Sequence, residues 1–398
     1  MRISSAYIAQ MFVASQNNQE AALAQTQQQI ATGLQFSTPA QNPTAATEVL
    51  GLQATLSQLG QYGTNANLAQ GRLSIEDTTL SSVINTLQSI RTLALEAANA
   101  SSSAATRATL GQQIQSEAQS LVQLANTQDG NGQYLFSGTA TTTTPFNQTA
   151  GGVSYSGTQN QRLVQIGAGV QIADSDSGAS VFQEIPNGNG TFVVNAAAGN
   201  QGSAIVGANS VTSLASWNAG KPPYTISFSS ASAYTVKDSS GAQVASGSYT
   251  DGGTISFNGA QLTLSGTPAA GDSFTVAKST NQDIFTTIQN LVSALAPATA
   301  TSQTATVGLI NRAIEALDQG QSNVSLVQAQ VGARLQTIDS QNSTNSSLTL
   351  QLQSSMSGLR DLDYASAATT LNQQMTALQS AQASFARIQG LSLFNYIQ

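Results

Sequence analysis

The chain has 398 residues, 8% of them charged, with 12 Lys and Arg against 19 Asp and Glu, a net charge of −7, and neither cysteine nor histidine. The acidic balance argues against a nucleic-acid backbone as partner. The missing residue types exclude disulfide frameworks, zinc fingers, thiol catalysis and His-based hydrolase triads.

The first arm carries Ile3, Ile8 and Phe12, then Leu23, Gln27, Ile30 and Leu34, a spacing that lays one stripe along a helix face. Thr32-Gly33 interrupts it, and Pro39 and Pro43 make 36–43 a break. Leu73, Leu80, Leu87 and Ala94 then recur every seven residues, with Val83 and Ile90 on the alternate seam. Ser101-Ser102-Ser103 marks a turn, after which Leu110, Ile114, Leu121 and Ala125 predict a helix folding back on the previous one as an antiparallel hairpin. Asp129-Gly130-Asn131-Gly132 reads as a tight turn leading into a strand at Gln133–Phe136.

From about Thr139 to Lys278 the chain is rich in Gly, Ser and Thr. Polar and apolar residues alternate at 225–228, 234–236, 254–257, 261–264 and 273–276, which predicts strands with one buried face. Segments 186–190 and 196–203 read as loops. Asp283 then caps a helix through Ile284, Ile288, Leu291, Val292 and Leu295, stopped by Pro297. The last arm has Val324, Val331, Ile338, Asn345, Leu352 and Leu359 at intervals of seven, with Asn345 as a polar register-setter. After Arg360-Asp361-Leu362-Asp363 the frame shifts to Leu371, Leu378 and Phe385, and the chain stays apolar through Ile388, Leu391, Leu393 and Phe394.

The inner heptads, 68–126 and 324–360, read as ordinary bundle core. The end stripes differ. Ile3, Ile8, Phe12, Leu23, Ile30 and Leu34, with Leu371, Leu378, Phe385, Ile388, Leu391, Leu393 and Phe394, would make a helix pair too thin to bury its own surface. They are the candidate assembly interface. No run approaches the roughly 18 apolar residues of a membrane span. The first residues lack the apolar core of a secretory signal, so any export is expected without cleavage.

Motifs for chemistry are weak. Asp174-Ser175-Asp176-Ser177-Gly178 resembles the start of a calcium loop, but Ala179 and Ile185 stand where Gly and Glu are needed, so it reads as a solvated turn. Gly167-Ala168-Gly169 lacks the third glycine of a dinucleotide site. Glu184, Asp238, Asp251 and Asp272 show no paired spacing. The expectation is a protein that is not an enzyme, with no cofactor and no metal.

Four stretches identify a family. They are Met1-Arg2-Ile3-Ser4 with Ala31-Thr32-Gly33 and Asn42-Pro43-Thr44-Ala45-Ala46; Leu124 through Gly138; Gln282-Asp283-Ile284-Phe285; and the Gln373–Gln379 segment with Gln389-Gly390-Leu391-Ser392-Leu393-Phe394. On these the chain resembles the flagellin family, and its ending is similar to the junction members rather than the filament members. The resemblance implies an α+β multidomain fold. N- and C-terminal helices pair as a coiled coil and helical bundle, with an inserted, mainly β outer domain. The implied inner coiled coil takes 1–40 and 363–398, the helical rod 41–138 and 283–362, and the outer domain 139–282.

The resemblance also implies a structural adaptor between hook and filament, exported by the flagellar type III apparatus to an extracellular position. Its implied partners are further copies of itself in a ring, flagellin, a neighbouring hook-associated protein, the filament cap during assembly and a cytoplasmic export chaperone. Nucleic acid and membrane are not among them. The alternatives are filament flagellin, a surface adhesin whose β region binds a glycan or receptor, and an enzyme grafted into that region.

Overall fold

The structure, a computed structural model, describes residues 5–99, 102–149, 151–296 and 303–390. It is α+β, with long helices on both arms and antiparallel sheets between them. Two compact units are formed, one from 1–64 with 341–398 and the other from 65–340. The helices α2 (Pro43–Ala98) and α7 (Gln303–Arg360) each contribute to both.

Local chemistry sets the helix starts. Asn42 caps α2, accepting from Ala45 N at 3.1 Å through Oδ1, and Pro43 occupies the first helical position, where no N–H is needed. Ser103 caps α3 (Ala104–Ala125) through a 3.1 Å bond from Thr106 N. Asp283 caps α6 (Ile284–Leu295), accepting from Phe285 N at 2.8 Å, as the sequence predicts. Pro297, the expected stop, lies outside the described residues.

The core of the larger unit is the heptad seam. Leu73, Leu80, Val83, Leu87, Ile90 and Ala94 of α2 are buried with Ile114 and Leu121 of α3, Ile288 and Leu291 of α6, and Val324, Val331 and Ile338 of α7. The helix α3 shares this core with α2, but its close backbone neighbour is α6. Gly111 permits that approach: a Cβ there would stand 3.2 Å from Leu295 Cβ.

The expected strand at Gln133–Phe136 is not formed. Only isolated bridges, Gln128 to Tyr134 and Ser137 to Ser177, are present. Leu135 and Phe136 are both fully buried, which adjacent residues of a regular strand facing one core cannot be.

The β-rich stretch at 139–282 is divided between two cores. Its first part is made of small elements: β1 (Phe146–Thr149) with β2 (Gly152–Tyr155), β3 (Leu163–Gly167) with β4 (Val170–Ala173), the short α4 (Gly178–Phe182), and β5 (Ile185–Pro186). Phe146, Ile166, Val181, Phe182 and Ile185 from these elements lie in the helical core.

The second part is a sandwich with its own core. Strands β6 (Phe192–Ala196), β8 (Tyr224–Ser230), β9 (Ala233–Lys237), β10 (Gln243–Ser248) and β13 (Ser273–Lys278) form one sheet in the order β10-β9-β8-β13-β6. Strands β7 (Ile205–Val211), β11 (Thr254–Phe257) and β12 (Ala260–Ser265) form the other, in the order β11-β12-β7. Tyr224, Ile226 and Phe228, Leu262 and Leu264, and Phe274 and Val276 point inward at alternate positions, around the buried Trp217 of the short helix α5 (Leu214–Ala219). The chain then rejoins the helices through β14 (Asn281–Gln282), which pairs with β5.

Asp272 is 2% exposed and anchors the loop at 196–203, accepting from Gln201 N at 2.7 Å, Gly202 N at 3.0 Å and Ala269 N at 2.9 Å. Removing it leaves these three N–H groups without their acceptor in a partly buried site. Asp272→Ala is expected to destabilise the sandwich by about 3 kcal/mol, read as a lower midpoint in urea followed by Trp217 fluorescence.

Candidate assembly surface

The smaller unit contains the pair formed by α1 (Ser5–Thr32) and α8 (Tyr364–Gly390), which pack along each other in opposite directions. Phe12 and Phe385 stack face to face, 3.9 Å between centroids and 3° apart in plane. At the other end Leu34 and Asp361 form an antiparallel bridge, Gln35 N donates to Arg360 O at 2.8 Å, and Leu362 N donates to Gly33 O at 2.9 Å. Gly33 has φ +72 and a Cβ there would lie 2.9 Å from Tyr364 Oη, so both conformation and space require glycine. The frame shift read at 360–363 is this joint: α7 ends at Arg360, and Asp363 starts α8 by accepting from Ala365 N at 3.0 Å.

Phe12, Leu23, Ile30, Leu34, Leu371, Leu378 and Phe385 are each half-buried. Ile3, Leu391, Leu393 and Phe394 lie outside the described residues, as do the side chains of Ile8 and Ile388. Among the described residues the pair fully buries only Thr26 of α1 and Ala367 of α8. Outside the predicted stripe, Tyr7 is 57%, Met11 59% and Val13 52% exposed, and Tyr364 and Met375 are also exposed. The sequence reading missed these residues because they fall off the seven-residue repeat. Two helices bury one seam between them, and the flanking apolar residues face outward. Asn345, by contrast, is buried and accepts from Gln341 Nε2 at 2.9 Å, in keeping with a register-setting place in the heptad.

The segment Asp174-Ser175-Asp176-Ser177 is not a solvated turn. All four residues are buried, and the carboxylates are engaged by arginines drawn from distant parts of the larger unit. Arg334 of α7 grips Asp176 at 2.7 and 2.9 Å. Arg162 binds Asp174 through Nε at 2.9 Å, and Arg72 of α2 pairs with Asp129 while lying 3.4 Å from Asp174. The Asp129 turn also receives Asn131 N at 2.8 Å and Gln133 N at 3.0 Å. Burial pushes the Asp129 carboxyl up, but these bonds and the Arg72 charge outweigh it and hold it below the usual range.

Arginines occupy the acidic segment, and among the described residues no group of carboxylates is arranged to hold a metal. Glu76 completes the cluster. It accepts from Asp176 N at 3.0 Å through Oε1, while Oε2 is buried without a hydrogen bond. Three guanidiniums (Arg72, Arg162, Arg334) thus face four carboxyls (Glu76, Asp129, Asp174, Asp176), and among the described residues Glu76 makes no ion pair. Burial, reinforced by the Asp176 charge, drives the Glu76 carboxyl well above its ordinary value of 4.5.

Comparison with known proteins places both arms. The family model of the bacterial flagellin N-terminal helical region matches residues 3–141, and that of the C-terminal helical region matches 307–397. A model of a D2-like domain of flagellar hook-associated protein 1 matches 195–278, within the sandwich. The chain is similar to FlgL of Xanthomonas campestris, 32% identical over 77% of this chain and 99% of that one, with a TM-score of 0.69. It is also similar to the flagellar junction protein FlgL of Legionella pneumophila, 29% identical over 74% of this chain and 99% of that one, with a TM-score of 0.66. Flagellar hook-associated protein 3 of Escherichia coli K12 is 26% identical over 99% of both chains.

The Glu76 geometry fixes a pH dependence. Between the unfolded value near 4.5 and the raised folded value, the folded protein holds a proton that the unfolded chain releases. Stability therefore falls as pH rises through that window. Glu76→Gln, neutral at every pH, is expected to melt higher than the parent at and above neutral pH. The advantage should vanish below the ordinary carboxylate range, as measured by thermal melts across a pH series.

Proposed function

We propose a junction role for this chain, which belongs to the family of flagellar hook-associated protein 3: copies of it form a ring that joins the hook to the flagellin filament. The observation that carries this reading is that the two family-matched arms are the ones that pair. They supply α1 and α8, whose apolar surface exceeds what the pair can bury. A surface of that kind is completed by neighbours.

In this reading α1 and α8 form the inner coiled coil, α2, α3, α6 and α7 form the rod, and the β region is the outer part. The small elements between 139 and 185 go with the rod, whose core they share, and the sandwich projects. One neighbour along the axis is a hook-associated protein and the other is flagellin. The filament cap is met during assembly and an export chaperone before it. The position is extracellular, reached through the flagellar export apparatus without a cleaved signal. The role is structural, and no catalytic residue is assigned. Immunogold labelling of isolated flagella should give a single band at the junction. Label along the whole filament would instead indicate a filament subunit.

The α1–α8 seam supplies a sharper test. Phe385 is only half-buried, so Leu378→Ala with Phe385→Ala should cost far less than the roughly 3–5 kcal/mol of a buried phenylalanine. The purified variant is expected to melt close to the parent while its strain sheds flagellin and loses motility. A large fall in melting temperature, or normal motility, would contradict the assignment.

A further inference from the structure

The sandwich and the helical body do not share a core. Their buried apolar residues form two separate clusters, and the sandwich cluster lies wholly within 192–276. Where the two meet, solvent-open clefts of about 510, 290 and 390 Å³ run along the contact, and Arg312 of α7 lines all three.

Two side-chain hydrogen bonds tie the sandwich to α7. Asn209 Nδ2 of β7 donates to Glu315 Oε1 at 2.7 Å, and Arg312 donates to Asn195 Oδ1 of β6 at a long 3.5 Å. An apolar approach lies at Gly308, where a Cβ would lie 3.7 Å from Ile205 Cγ2. Burial lowers the basicity of Arg312 and raises the Glu315 carboxyl, so both charges are partly desolvated here without an ion pair between them.

The covalent connection is equally specific. Between the last pair of the sandwich, Lys278 with Phe192, and the first pair of the body, Asn281 with Pro186, lie 187–191 on one side and 279–280 on the other. Asn187 bridges them, donating through Nδ2 to Thr280 Oγ1 at 3.1 Å and accepting from Thr280 N at 3.0 Å. Gly188 and Gly190 both take positive φ, +60 and +84, in the longer side. A Cβ at Gly188 would fall 2.1 Å from Phe192 O, so this turn admits only glycine.

We propose that the sandwich is a jointed arm, pivoting at 187–191 and 279–280, and that Asn209–Glu315 and Asn195–Arg312 form the latch holding it in the position described. A cleft-lined boundary between two separate cores is the setting in which relative motion is expected. The arm can then change its angle without disturbing the helices that carry assembly. This goes beyond the junction role and does not depend on it, since the test reads geometry in the purified full-length chain.

The absence of cysteine allows clean labelling. Spin labels at Ser246→Cys on β10 and Ser89→Cys on α2, both exposed, report the distance between arm and body by double electron–electron resonance. The expected result is a narrow distribution with the latch intact, and a broadened, shifted one when Asn209→Ala and Arg312→Ala are added. The thermal melt of the sandwich, followed by Trp217 fluorescence, should be unchanged, which separates unlatching from unfolding. A distribution that stays narrow in the unlatched chain would overturn the proposal. So would one already as broad in the parent, because the latch would then hold nothing.

Discussion

Two helices cannot bury each other's apolar surface, and the organisation of this molecule follows from where the chain meets that limit. Along the middle of α2 the heptad residues Leu73, Leu80, Leu87 and Ala94 are fully buried, because α3, α6, α7 and the small β elements surround them. Along α1 and α8 the same kind of repeat reaches only half-burial, because each helix has the other as partner. The pattern is shared, and the number of neighbours decides the outcome. A helix pair of this kind is marginal alone, because most helical stability comes from packing of its apolar face.

The larger unit solves a different problem, that of holding irregular loops on smooth helices. The turn at Asp129, the start of β3 at Arg162 and the acidic segment at 174–177 have few apolar side chains to spare. They are fixed to α2 and α7 by charge, through Arg72 and Arg334. Buried ion pairs are costly unless well satisfied, and removing one partner leaves the other uncompensated. The fourth carboxyl, Glu76, has no ion-pair partner among the described residues, and burial together with the Asp176 charge pushes its pKa up, which disfavours a stranded negative charge there.

Much of this was legible in the sequence because periodicity is a local signal. The heptads, the Asp283 cap, the break at 36–43, the frame shift after Arg360 and the five alternating strands all fall where the spacing places them. The misses are non-local. Asp176 meets Glu76 from 100 residues away and Arg334 from 158, so no window of sequence could show that an apparent surface turn is a buried lock. The elements from β1 to β5 were missed because they are short and their burial depends on helices far along the chain, and β6 because the strand it pairs with, β13, lies far along the chain. Tyr7, Met11 and Val13 went unremarked as surface because a repeat shows which residues share a face, not how many partners that face will find.

In the proposed junction role the α1–α8 pair is finished by neighbouring subunits. Hydrogen exchange of backbone amides along α1 and α8 tests it most directly, comparing the free protein with the same protein recovered in isolated hook–filament junctions. Both helices are expected to exchange rapidly in the free protein and to be strongly protected in the assembly, with the amides of α2 around Leu80 protected in both. Strong protection of α1 and α8 in the free protein would show that the pair is complete on its own and would contradict the claim.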